Sequence, residues 1–199
     1  MSDWKMKGKP ALVIIHMQNA IASEDGTVAF FGHAKAAKEG GIIPRQQAQL
    51  KRFREKKLPV IYVNALNFTT FPAYGKFWEA LKSLKDLNLP GSKDTEVIPE
   101  LAPQPSEPVL GNWPISIFAN SGLEQVLKDY GVETLVLTGL ATDIAVLTAA
   151  VQASDLGYSV IVPNDASASG KARAHEVVMN DMLPGMALVT PTEDVLAHI

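Results

Sequence analysis

The chain contains no cysteine. That excludes disulfides, thiolate metal centres and every mechanism that needs a sulfur nucleophile. Long runs of one charge are also missing. Lys and Arg number 18 against 21 Asp and Glu, a formal net charge of −3, so there is no electrostatic footprint for nucleic acid. No apolar stretch is long enough to span a bilayer. The opening Met1-Ser-Asp-Trp-Lys-Met-Lys-Gly-Lys lacks the apolar run of a secretion signal, and a soluble, cytoplasmic protein is expected. Histidine is scarce and scattered, at His16, His33, His175 and His198, which gives little support to a histidine-based metal site. No metal or other cofactor is expected, and there is no internal repeat or low-complexity tract.

What is present is enough for one substantial core. At 199 residues and 47% hydrophobic, the whole chain, 1–199, reads as a single α/β domain. Pro10-Ala-Leu-Val-Ile-Ile-His-Met17 is almost wholly apolar up to His16, the pattern of a central strand covered on both faces. Gln18 to Gly41 reads as a glycine-rich loop carrying Phe30 and Phe31. Ile42 to Lys57 is a helix with Ile43, Leu50 and Phe53 inward and Arg45, Lys51, Arg54 and Lys56 outward, stopped by Pro59. Val60–Val63 is a strand ending at Asn64. An aromatic-rich loop, Leu66 to Gly75, and a short helix, Lys76 to Leu84, follow. Five prolines between Asn88 and Pro108 make that region irregular or extended. Val109-Leu110 is a short strand, and Leu123 to Tyr130 a helix ended by Gly131.

The organising stretch is Thr134-Leu-Val-Leu-Thr-Gly-Leu-Ala-Thr-Asp-Ile-Ala-Val-Leu-Thr-Ala-Ala150, a buried strand, a tight turn at Gly139 and a helix running to about Leu156. Thr142 is placed to cap that helix and Asp143 to sit in its first turn. Ala145 then lies at the C-terminal edge of the sheet, where ligands bind in open α/β folds. Tyr158–Val162 is the next strand, Asn164–Gly170 a turn of small residues, Ala172–Leu183 a helix and Met186–Thr190 the last strand, before a helix starting at Pro191. Strands alternating with helices imply a three-layer α/β/α sandwich with a mainly parallel, Rossmann-like sheet.

Three motifs resemble the isochorismatase-like hydrolases, the cysteine hydrolase superfamily. Leu137-Thr-Gly-Leu-Ala-Thr-Asp-Ile-Ala145 resembles the strand-turn-helix in which members read Thr-Gly, two small or apolar residues, Thr-Asp, one residue, then Cys. Leu12-Val-Ile-Ile-His-Met-Gln-Asn19 resembles the opening strand, normally apolar residues followed by Asp-Met-Gln-Asn. Gly157-Tyr-Ser-Val-Ile-Val and Asp165-Ala-Ser-Ala-Ser resemble the strand and turn after the nucleophile helix. The resemblance implies an isochorismatase-like fold and a triad of Asp, Lys and Cys. His16 stands at the Asp position and Ala145 at the Cys position. Taking Ser116-Ile-Phe118 as the family's Ser-x-Phe context puts Asn112 at the Lys position. Alanine cannot attack a carbonyl, so the amidase mechanism is excluded. Family members that work without the Cys keep the Asp and Lys, and the Asp-x-His cluster of the metal-binding nicotinamidase branch is matched only by Asn64-Ala-Leu-Asn67.

His16 reads either as a proton-transfer group or as a neutral histidine bonded to backbone or to Gln18. Asn112 reads as a ligand contact or a loop tie, and Trp113 as a pocket wall or a core residue. Asn64, at the ligand-facing edge, is a candidate contact. Phe31, Phe68, Phe71 and Tyr74 are lid candidates that equally suit core or subunit contacts. By resemblance, the Leu140–Ala141 bond is cis, and Leu140, Ala141, Thr142 and the N–H of Ala145 line an anion-binding turn. The site so assembled has His16, Asn112 and Ala145 at the catalytic positions and Phe31, Asn64, Trp113, Leu140, Ala141 and Thr142 around the substrate. Two functions fit. One is acid–base chemistry without a cysteine on a small, aromatic or cyclic metabolite. The other is an inactive relative that binds a small molecule or a protein. A small-molecule ligand is expected, with no nucleic-acid or membrane partner, and the resemblance implies a homo-oligomer.

Overall fold

β1, Pro10–Ile15, is buried at every position, and its alternate side chains feed two separate cores. Ala11, Val13 and Ile15 pack on one face of the sheet with Leu123, Leu127, Ala149, Ala153 and Val178. Leu12 and Ile14 pack on the other with Ala37, Leu50, Phe53 and Val195. A strand buried on both faces must be apolar throughout, which is why its sequence shows no alternation.

The computed structural model describes residues 4–66, 75–82, 84, 89–112 and 115–199. Its seven-stranded sheet runs β3-β2-β1-β4-β5-β7, with β6 beside β4, and the six strand pairings among the described residues are all parallel. The strands are β2 (Val60–Ala65), β3 (Val109–Asn112), β4 (Thr134–Leu140), β5 (Ser159–Pro163), β6 (Ser167–Ala168) and β7 (Leu188–Thr190). The helices are α1 (Asn19–Ala22), α2 (His33–Glu39), α3 (Ile42–Glu55), α4 (Lys76–Leu81), α5 (Leu123–Asp129), α6 (Leu147–Asp155), α7 (Ala172–Val177) and α8 (Thr192–Ala197). α2, α3 and α8 cover one face, and α5, α6 and the segment after α7 the other. This is the three-layer α/β sandwich that the alternation of elements predicts.

Two sequence expectations are corrected. Gln18 to Gly41 is largely helical rather than a loop. It holds α1, a 3₁₀ turn at Ala29–Phe31 and α2. Its glycines punctuate helices: Gly32, left-handed at φ 77°, precedes α2, and Gly41, left-handed at φ 62°, precedes α3. The proline-rich connection, described from residue 89 to 108, is irregular as the sequence implies, broken by 3₁₀ turns at Lys93–Thr95 and Pro99–Leu101. The Thr142 helix opens with a π-helical turn, Thr142–Val146, preceded by Ala141 with no side-chain cap. Thr142 is no cap because its hydroxyl lies 2.9 Å from His175 Nδ1.

Candidate active site

β1, β2, β3 and β4 end together along one edge of the sheet. The register aligns Ile15 with Val63 and with Gly139, and Ala65 with Asn112. His16 follows directly, with its N–H donating to Val63 O at 2.8 Å. Its backbone is left-handed, φ 54°, an uncommon state outside glycine. This ends the strand's alternation at the residue where the chemistry is expected.

The His16 ring meets Asn112. Nε2 lies 2.9 Å from Asn112 Oδ1, and the pair is buried. The Asn112 amide nitrogen donates to Ser116 O at 3.2 Å, which fixes the amide oxygen toward the ring. His16 Nε2 therefore carries the proton in the neutral form, and Nδ1 is the basic nitrogen. Burial pushes the His16 pKa down to about 4; the Asn112 bond and the Leu140 backbone oppose the shift, and a charge on His33 adds to it. At neutral pH the ring is uncharged.

Beyond Gly139 lies the turn that resembles the family's nucleophile turn. The Leu140–Ala141 peptide bond is cis. The Ala141 carbonyl accepts from Ile144 and Val146, both at 3.2 Å, which gives the turn its wide π form. Leu140 and Thr142 are fully buried, and Ala141 and Ala145 nearly so. Ala145 packs in the same core as Ile15 and Ile117. Asp143 accepts from Ser169 Oγ at 2.6 Å, with Lys171 Nζ at 4.0 Å.

Asn64 is at the same sheet edge but faces the other layer. Its position in β2 puts it on the side of Tyr62, and its amide nitrogen donates to Thr95 O at 2.8 Å. Its Oδ1 is buried with no partner among the described residues. The structure therefore joins His16 to Asn112 by a hydrogen bond and shows none joining Asn64 to that pair. Gln18 is a tie: its amide donates to Ala65 O and Asp94 O and accepts from Ala65 N–H. Phe31 stacks with Phe77 at 5.6 Å between ring centroids and lies 6.0 Å from His33. Trp113, Phe68, Phe71 and Tyr74 fall outside the described residues.

Two side chains near this edge were missed as site candidates. His33, 8% exposed, is held by Gly170, whose N–H donates to Nδ1 at 3.0 Å. Burial lowers its pKa, with Asp143 opposing and Lys171 adding to the shift. His175, beside Thr142, is also lowered by burial. The signal for His33 was the strong helix-forming run Ala34-Lys-Ala-Ala-Lys-Glu39 between Gly32 and Gly40, which marks a helix start rather than a loop. Among the described residues no three His, Asp or Glu side chains converge as metal ligands, and no helix is long and apolar enough to cross a membrane.

This architecture and edge have known counterparts. The Isochorismatase domain model matches residues 10–194, and the chain belongs to the isochorismatase family. It is 26% identical over 197 residues to the uncharacterized isochorismatase family protein YwoC of Bacillus subtilis, covering 96% of this chain and 94% of that one. It is 29% identical over 174 residues to the ureidoacrylate amidohydrolase RutB of Pseudomonas syringae pv. syringae, covering 80% of this chain and 71% of the relative. A crystal structure of an isochorismatase-like hydrolase from Alkaliphilus metalliredigens superposes with a TM-score of 0.77 at 25% identity, over 96% of this chain and 98% of that one.

Proposed function

We propose that this protein is an isochorismatase-family hydrolase in which acid–base chemistry at His16 replaces a cysteine nucleophile, acting on a small aromatic or cyclic metabolite. The observation that carries the reading is the 2.9 Å contact between His16 Nε2 and Asn112 Oδ1. It links, by resemblance, two of the three family triad positions in a base-and-orienter pair. Ala145 at the third position leaves water as the nucleophile. His16 Nδ1 takes a proton from that water as its oxygen bonds to the substrate carbonyl carbon. The Leu140–Ala145 turn holds the oxygen that gains charge. The leaving group departs with the proton returned by His16. Asn112 Oδ1 stabilises the imidazolium formed in between. Phe31 supplies an aromatic wall and Thr142 lies in the anion-binding turn in this reading, with Trp113 a further candidate contact by resemblance alone. The amidohydrolase name of a relative supports hydrolysis as the reaction class.

The test is turnover of a pooled library of small amides, enol ethers and hydroxylated aromatic acids, read by mass spectrometry. Wild type is compared with His16→Asn, a residue that tolerates the left-handed backbone. A product made by wild type alone is the expected result. Equal product from both removes His16 from the mechanism.

The second reading, a ligand-binding relative without turnover, draws on the burial of the pair: His16 is 7% exposed and Asn112 fully buried. A library member retained by the protein but never consumed would favour it.

A further inference from the structure

His33 and His16 border the same end of β4 from opposite sides. His16 follows Ile15, which registers with Gly139. On the other side Ser167 and Ala168 of β6 register with Gly139 and Leu140. Gly170, two residues on, holds His33 through its N–H. The electrostatic link between the two rings agrees with this placement: charge on His33 makes His16 harder to protonate.

The Gly170 bond also fixes the tautomer. Nδ1 is the acceptor, so in the neutral ring Nε2 carries the proton. No hydrogen bond among the described residues takes up that N–H, and it is not one of the buried polar atoms, so the 8% exposure of His33 leaves it open to solvent and to an incoming group. Phe31 lies alongside at 6.0 Å, so an incoming group meets an aromatic wall and one donor together. Asp143 and Lys171 act on the ring with opposite signs.

We propose that His33 is a second ligand-contacting residue, whose Nε2–H binds a carbonyl or carboxylate oxygen of a small aromatic ligand across the sheet edge from His16. The inference rests on the reading of His16 as the functional centre, and it gives the ligand a defined feature: a ring carrying an oxygen acceptor.

Benzamide and benzoate are the probes, one carrying each oxygen type. Binding is measured by calorimetry on the full chain, and long-range proton–nitrogen NMR follows the imidazole resonances. Two variants separate fold from contact. In His33→Asn the short amide can still accept from Gly170 N–H but does not extend to the Nε2 position. In His33→Gln the longer amide restores a donor there. The expected result is binding of at least one probe with a shift at His33 Nε2, affinity weaker by about tenfold in His33→Asn, and recovery to within about threefold in His33→Gln. Binding of benzamide alone assigns a carbonyl, and of benzoate alone a carboxylate. Equal affinity in wild type and His33→Asn, an unmoved Nε2 resonance, or no binding of either probe at millimolar concentration overturns the proposal. Histidine-33-dependent binding without turnover of any library compound keeps this contact and removes the catalytic reading. Turnover lost in His16→Asn but unchanged in His33→Asn does the reverse.

Discussion

A histidine buried to 7% exposure beside an amide oxygen is a titrating group with a stability consequence. Its folded pKa lies near 4, below the ordinary 6.5 of an exposed imidazole. The unfolded chain binds a proton as pH falls through 6.5, whereas the folded one resists until about 4. Neutral His16 therefore contributes stability that is fully present above pH 6.5 and lost as pH falls toward 4, roughly 3 kcal/mol in total. His33, also lowered by burial, adds in the same direction. Chemical denaturation of wild type and His16→Asn across pH 4 to 7 reads this directly. The wild type should lose stability more steeply on acidification by up to one proton's worth of slope, and parallel curves would contradict the buried neutral ring. Activity follows the same sign: the base form persists through neutral pH, so the acid limb of the rate profile should fall near pH 4 to 5. Asn112→Asp replaces a neutral acceptor with a carboxylate, which favours the imidazolium. The His16 titration followed by NMR should then move up by at least one unit, and an unchanged midpoint would show that the two side chains do not share a hydrogen bond in solution.

The elements around this pair are short, and that decided what the sequence could disclose. Thr134–Leu140 and Pro10–Ile15 were readable because two-sided burial forces continuous apolar runs. His16 and Asn112 were placed at site positions by resemblance, but their mutual hydrogen bond was not legible, because 96 residues separate them. Arg45 and Arg54, read as outward-facing, are in fact tied: Arg45 Nε donates to Asp165 at 2.8 Å and Arg54 Nε to Glu107 at 2.8 Å. Helical periodicity marks the polar face of α3 but not which distant carboxylate folds onto it. α2 was hidden because its bounding glycines look like loop residues. Gly170 shows how tightly that helix start is held. A Cβ there would overlap the Phe31 carbonyl and the Gly32 backbone, so the 29–33 segment and the residues after β6 touch backbone to backbone. Gly170→Ala should cost more than about 2 kcal/mol and displace His33 as well. Denaturant midpoints test the first expectation and the His33 imidazole shifts the second. A midpoint within experimental scatter of wild type would mean that the two segments are not in contact.

At the scale of the whole molecule, the proline-rich connection before β3 links the site edge to the body of the fold. At its start, Thr95 O accepts from Asn64 and Asp94 O from Gln18, so the first turn closes one side of the sheet edge. Ile98 and Leu101 then enter the α3-side core. Its far end is fastened by Arg54, which reaches Glu107 through Nε and a terminal nitrogen, both at 2.8 Å, and Ala102 O at 3.0 Å. Tyr62, whose pKa burial raises, donates to Leu101 O at 2.9 Å beside this pair. The Arg54 side chain is 27% exposed and that of Glu107 8%, so removing the cation strands a carboxylate that has little water to turn to. Such losses cost about 3 kcal/mol, whereas removing both charges together costs far less. Arg54→Met should therefore lower unfolding free energy by about 2–4 kcal/mol, and Arg54→Met with Glu107→Gln should recover at least half of that. Urea denaturation of the single and double variants measures the coupling. A single-variant loss below about 1 kcal/mol would place this pair among ordinary surface contacts. The pair touches neither His16 nor Asn112 in the hydrogen-bond pattern. The His16 titration midpoint should thus stay at its wild-type value in Arg54→Met, separating what holds the connection down from what sets the chemistry at its edge.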